Sequence, residues 1–493
     1  MNPDTVKVRL EPLAVEVLVP RGAELIGSLA EHGVEFPCGG TGACGGCSVR
    51  VLTGSLAISP ADREVFTSEQ LKSGWRLACQ SRANEPLILE CEQWQMTVLA
   101  DTSAPIARGK HGLGIAVDLG TTTIAVQLLD LKSGKVLGVE TELNPQARFG
   151  SDVMSRVRAV LDGDDLTKRL RVAIGAMVTR LARGREAEIV EVVLVGNTVM
   201  HHLFSACDVE PLSHVPFASP NLGTQSFSPG ELGWALPADC TVSFVQCLGG
   251  FVGSDILAGI VATGMAESDE LVALVDLGTN GEIAIGNRNR IVCASTAAGP
   301  AFEAGAITMG MRAVTGAISH VAQVGDELKA TVIGDVEPRG ICGSGLVDAV
   351  AAGLRSGAIL PSGRIADGTK KFHVSGPVVL NQSDIRELQL AKGAIAAGFR
   401  ILLRKLGADM GAIKKVHLAG AFGNYVQIES AIRIGLIEAP RAVVHAAGNT
   451  ALRGAKILLA TEEPVLPIIE HISLAADSNF QDEFVDCMSF PGK

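Results

Sequence analysis

The N-terminal part of the chain alternates. TVKVRL at 5–10 and VEVLVP at 15–20 place apolar side chains at every second position, the period of a half-buried strand. AELIGSLAEHG at 23–33 has the spacing of a short helix, and CSVRVLTG at 47–54 resumes the strand period. Periodicity fades over 95–112 (QMTVLADTSAPIARGKHG), where Pro, Gly and Ser gather; a flexible tether or a packed loop fits there. Beyond it the apolar runs become continuous, as in strands covered on both faces. Such runs occur in IAVDLGTTTIAV at 115–126, EVVLVGNTVMHHLF at 191–204, ALVDLGTNGEIAI at 273–285 and KVHLAGAFGNYVQIESAIRIG at 415–435. The pattern predicts a small domain over 1–94, a connection over 95–112, and an α/β body divided into 113–196 and 197–493.

Length and composition narrow the class. A chain of 493 residues exceeds one core, and 47% hydrophobic residues supply material for several. The 56 glycines point to many tight turns and close backbone approaches. A net charge of −11 argues against nucleic acid or an anionic membrane as the main partner. MNPDTVKVRLEPLAVEVLVP has no signal-peptide core, and no run is long and uncharged enough to span a membrane. A cytoplasmic protein is expected, in which the 11 cysteines are metal ligands or packing residues rather than disulfides.

Cys38, Cys44 and Cys47 read C-x5-C-x2-C, and Cys79 follows 32 residues later. Three close cysteines plus one remote cysteine is the layout in which four thiolates hold a [2Fe–2S] cluster. The glycines between them permit positive φ and turn backbone N–H groups toward sulfur. The alternatives are four buried thiols or a zinc site, although zinc usually takes two C-x2-C pairs. Cys91 is the only rival to Cys79, and its predicted place past the last strand makes it the poorer ligand. Cys207, Cys240, Cys247, Cys293, Cys342 and Cys487 are scattered and read as packing residues.

The body carries one motif twice: an apolar strand, Asp-Leu-Gly-Thr, then a second apolar strand. Asp118 and Asp276 end the first strands and suit Mg²⁺, while the small residues after them let N–H and hydroxyl groups reach phosphate. Two such hairpins fit opposite sides of a nucleotide cleft. This order of segments resembles the acetate and sugar kinase, Hsp70 and actin superfamily, which implies two actin-like α/β lobes closing over ATP. The resemblance makes Gly120, Thr121, Thr122, Thr123, Gly278, Thr279, Asn280 and Gly281 the phosphate loops, and Gly420 and Gly423 the adenosine turn. Gly343, Ser344 and Gly345 read as a phosphate- or ribose-facing helix start. Glu282 either orients the attacking water or is an exposed strand charge. Asp255 is either a general base or a helix N-cap. The adjacent His201 and His202 read as packing residues, and 299–318 is either partner-facing or tightly packed.

The [2Fe–2S] head on such a body resembles the reductive activators of corrinoid-dependent methyltransferases, over nearly the whole chain. Under that resemblance the protein is an ATP-hydrolysing enzyme that passes one electron through the cluster to a corrinoid protein, Co(II) to Co(I). An upstream electron donor is implied, and a homodimer is an expected arrangement. The rival reading is a small-molecule kinase or ATP-regulated module with a redox-sensing head.

Overall fold

The computed structural model describes residues 4–11, 15–30, 32, 34, 36, 40, 42, 47–91, 111–150, 152–278, 280–325, 327–460 and 466–492. Cys38, Cys44, Thr279 and positions 95–110 of the expected connection lie outside the described residues.

Five strands make the N-terminal sheet, in the order Val15–Pro20, Thr5–Glu11, Leu87–Cys91, Ser48–Thr53, Trp75–Leu77. The first two pair antiparallel with Val8 opposite Val17. Val6, Val8, Leu10, Val15, Val17 and Val19 are therefore all buried. Thr5–Glu11 runs parallel to Leu87–Cys91, and the helix Leu25–Ala30 covers the sheet with Leu25 and Leu29. This is a β-grasp, and its first strands, its helix and the strand at 48–53 are those the alternation predicts. One expectation fails: Cys91 does not lie past the last strand but ends it, fully buried and opposite Val49. Leu87, Leu89 and Cys91 form one inward row, so this thiol is the third apolar residue of the strand.

The body holds two six-stranded sheets built on one plan. In the first, Leu113–Leu119, Thr123–Asp130 and Val136–Leu143 form an antiparallel meander. Ile189–Gly196 and Thr241–Phe244 extend it in parallel. In the second, Leu271–Leu277, Gly281–Gly286 and Arg290–Thr296 repeat the meander, and Ile413–Ala419 and Val444–Gly448 repeat the parallel extension. The repeated motif is thus the visible part of two repeated sheets.

Helix Ser254–Thr263 is shared between them, and Thr450–Ala460 packs beside it on the first. Ala258, Leu452, Ala455 and Leu459 pack on Ala116, Val193 and Val195 of the first sheet. Ile256 and Ile260 pack on Leu274, Ala284 and Cys293 of the second. The outer face of the first sheet is covered by Val153–Leu161, Leu166–Ala182 and Thr198–Ser205, and that of the second by Gly343–Ser356 and Gln382–Lys405. The continuous apolar strands follow from this double cover. The body is therefore the two-lobed actin-like arrangement expected from the sequence. Among the described residues, no helix is long and apolar enough to cross a membrane.

Candidate functional site: two aspartate hairpins and a cysteine-bearing head

Asp118 and Asp276 each stand one residue before the end of the first strand of their meander. The turns differ by one residue. Gly120 N–H donates to Thr123 O at 2.9 Å, whereas Gly278 N–H donates to Asn280 O at 3.0 Å. The shorter turn places Glu282 directly opposite Asp276, where the first hairpin has Ala125 opposite Asp118. Opposed residues share a face, so Glu282 is turned inward at 8% exposure and is not an exposed strand charge.

Four carboxylates crowd this region. Burial lifts Asp118 to about 6, and the Asn449 amide opposes the rise. Burial and the charge of Asp118 lift Asp276 to about 7. Asp255 is held at about 8 by burial and then by Asp276. Glu282 is raised well above the usual range by burial, then by Asp255 and Asp276. Burial and mutual repulsion act together here, the condition in which a bound cation is most stabilising. Asp255 is the second residue of its helix, behind Gly253 as N-cap, so capping does not account for it.

Three asparagines hold the first hairpin, each using its carbonyl locally and its amide across the fold. Asn449 accepts from Leu452 N–H at 2.7 Å and donates to Asp118 Oδ2 at 2.8 Å. Asn197 accepts from Met200 N–H at 3.0 Å and donates to Thr121 Oγ1 at 2.9 Å. Asn144 accepts from Gln146 N–H and donates to Gly120 O, both at 2.9 Å. Asn449 and Asn144 were not anticipated. Asn449 has a local signal, Asn-Thr ahead of an apolar run, which marks an N-cap but not its distant target.

The second hairpin meets the expected adenosine turn. Gly420 has φ +82°, and a Cβ there would lie 2.5 Å from Asp276 Oδ1 and 2.7 Å from Leu277 O, so only glycine fits. Gly423 lies one turn on in the same short helix, Gly420–Tyr425. Gly343, Ser344 and Gly345 begin the helix Gly343–Ser356, and Gly343 abuts the Phe302 carbonyl and the Phe422 ring. Ser344 Oγ donates to Ser319 O at 2.8 Å. Phe302 is buried with its ring 4.8 Å from that of Phe422, so this part of 299–318 packs against the turn. His201 and His202 are both buried; His202 Nε2 lies 2.6 Å from Ser219 Oγ and His201 Nε2 lies 3.2 Å from Gly223 O. They are packing residues.

In the head, Cys47 and Cys79 belong to the buried core. The Gln80 amide donates to Gly40 O at 2.7 Å and lies 3.6 Å from Cys79 Sγ, fixing the start of the cysteine loop against the fourth cysteine. Burial pushes the Cys91 thiol far up, with Glu90 adding to the shift, which suits a protonated packing residue.

Comparison with known proteins agrees with this layout. Residues 8–84 match the 2Fe-2S iron-sulfur cluster binding domain, 113–268 the RACo middle region, and 270–493 the C-terminal ASKHA domain of RACo. The chain is 34% identical to the corrinoid activation enzyme RamQ of Eubacterium limosum, across 76% of this chain and 69% of that protein. It is 26% identical to the [Co(II) methylated amine-specific corrinoid protein] reductase of Methanosarcina barkeri, across 76% and 77% of the two chains. A solved reductive activator for corrinoid,iron-sulfur protein superposes over 99% of this chain and 98% of that one, with a TM-score of 0.65 and 28% identity. A cluster-binding head and a nucleotide-binding body built on two matching sheets place the chain in the RACo family of reductive activators.

Proposed function

We propose that this protein reduces the cobalt of a corrinoid protein from Co(II) to Co(I), using ATP held in the body and an electron delivered through the head. The single observation that carries the reading is the convergence of both hairpin aspartates in one interlobe region of a chain that also bears the cysteine head. The named activities of the relatives support it.

The proposed division is a head over 1–94, a connection over 95–112, and a body over 113–196 and 197–493. Cys38, Cys44, Cys47 and Cys79 would hold the [2Fe–2S] cluster, which would supply one electron. Gly120–Thr123 and Gly278–Gly281 take phosphate, and Gly343–Gly345 with Gly420 and Gly423 take the nucleoside. Mg²⁺ fits the hard oxygen donors of Asp118 and Asp276, whose mutual repulsion it would relieve. Among the described residues no three side chains are placed to hold a metal alone, which suits an ion shared with phosphate and water. Glu282 and Asp255 are the candidates for orienting the attacking water, being buried, inward-turned and beside Asp276. An upstream carrier must re-reduce the head after each turnover, in a reducing, cytoplasmic setting. A homodimer is retained as the proposed assembly.

Magnitudes show why nucleotide is needed. A plant-type cluster sits near about −400 mV. Each further ~59 mV of mismatch to a lower cobalt couple costs a factor of ten, or ~1.4 kcal/mol, for one electron. Energy from ATP acts by favouring a partner conformation in which cobalt accepts the electron. The test is anaerobic: full-length protein, a strong reductant, a Co(II) corrinoid protein and ATP should yield the Co(I) absorbance. Omitting ATP should abolish it. Equal Co(I) formation without ATP would refute the reading.

A further inference from the structure

The head rests on both lobes of the nucleotide cleft. On the first lobe, Leu143 belongs to the hydrophobic core of the head and Ala147 packs against that core. On the second lobe, the Arg339 guanidinium lies over the ring of head residue Phe66, 5.9 Å from its centre. Phe66 is in turn stacked on Trp75 and belongs to the same core that Leu143 joins, so both contacts fall on one small domain.

Each contact is tied to a nucleotide element. Leu143 pairs with Thr123, and Asn144 N–H donates to Thr122 O at 2.8 Å while its side chain holds Gly120 O. The segment that follows is stiff. Fully buried Arg156 donates to Gln146 Oε1 at 3.3 Å and to Gly150 O at 3.3 Å. A movement of the first phosphate hairpin therefore carries Leu143 and Ala147 with it. Arg339 precedes the short strand Gly340–Ile341, after which Cys342 caps the helix that begins Gly343-Ser344-Gly345. The Arg339 backbone N–H donates to Gly316 O at 2.8 Å, and its guanidinium also reaches Thr315 O.

We propose that the head is a brace across the cleft: its seat on Leu143–Ala147 and Arg339 favours the lobe spacing seen here, and nucleotide competes with it. The inference rests on the reading that nucleotide draws the lobes together. Because the two contact points on the head are fixed to one another, any change in lobe spacing strains one of them. Linkage is reciprocal, so whatever nucleotide costs the seat, the seat costs nucleotide. Releasing the brace frees the cluster to approach a partner only when nucleotide is bound.

The test uses the full-length protein with its cluster intact by EPR, and needs no corrinoid protein. Binding of ADP and of a non-hydrolysable ATP analogue, with Mg²⁺, is measured by calorimetry for wild type, Arg339→Met and Ala147→Glu. Arg339→Met keeps the bulk of the side chain and removes the charge over Phe66; Ala147→Glu places a charge on the apolar seat. Both variants should bind at least one nucleotide more tightly, by about twofold to thirtyfold, the span from an exposed to a desolvated cation–π contact. Hydrogen exchange should show residues 61–66 and 143–147 losing protection when nucleotide is added to wild type. Unchanged or weaker binding in both variants, or unchanged exchange, would overturn the brace. Absence of nucleotide binding in wild type would instead refute the nucleotide reading on which it rests.

Discussion

Gly420→Ala separates backbone strain from displacement of an aspartate. The new Cβ would stand 2.5 Å from Asp276 Oδ1 and 2.7 Å from Leu277 O, where ordinary contact begins at 3.4 Å. The Leu277 carbonyl belongs to a strand paired on both sides, so it cannot retreat. The turn at 420 must therefore shift away from the strand and the carboxylate must yield with it, by up to roughly 0.9 Å, and a misplacement of about 1 Å costs on the order of 100-fold in rate. The positive φ adds about 1–2 kcal/mol of strain. Gly407→Ala in the same lobe is the control: its φ is +65°, yet nothing lies within 4 Å of its added Cβ. Both variants should lose a few degrees of thermal stability, while only Gly420→Ala loses about 100-fold in steady-state ATP hydrolysis. A folded Gly420→Ala protein hydrolysing ATP at nearly the wild-type rate would refute the placement of Asp276 at the reacting phosphate.

Cys79→Ala should abolish the EPR signal of the reduced cluster, whereas Cys91→Ala should retain it and lose only packing stability; loss of signal in both variants would show that the fourth ligand is misassigned. Asn449→Ala removes a hydrogen bond to a charged group, worth about 1.5–3 kcal/mol, and should weaken Mg²⁺-nucleotide binding by about tenfold or more without disturbing the cluster spectrum. The pH dependence has a definite sign. Asp276 has its carboxyl raised to about 7 in the folded protein, so the wild type loses stability as pH rises through that value. Asp276→Asn lacks this loss. Without metal or nucleotide, its stability relative to wild type should rise by a few kcal/mol at most between about pH 4 and pH 7. A difference that stayed flat or fell across this window would remove the repulsive cluster.

The head was legible from its period-two alternation, and the body from the repeated Asp-Leu-Gly-Thr hairpin, because both are local patterns. Glu282 was ambiguous, since its burial depends on the length of the turn. One residue fewer than in the first hairpin puts it opposite Asp276 and not on the outer side. Cys91 was misplaced because a thiol read as a candidate ligand hid its role as the third inward residue of the row Leu87, Leu89, Cys91. Asn449 was invisible for another reason: its partner Asp118 is 331 residues away, and only the packing of two lobes brings them together. The same holds for Leu143 and Arg339, which meet the head only through tertiary packing.

Helix Thr450–Ala460 imposes an order on biosynthesis. Leu452, Ala455 and Leu459 cover Ala116, Val193 and Val195 of a sheet whose own strands are complete at Phe244. The ribosome must add roughly 200 more residues before that face is closed, which at about 5–20 residues per second is ten to forty seconds. During this interval only helix Ser254–Thr263 can cover that face, and the apolar surface that Thr450–Ala460 will bury stays exposed. Chaperone occupancy should peak then, and translation stopping short of residue 450 should leave a chain that aggregates or is degraded instead of a working half-protein.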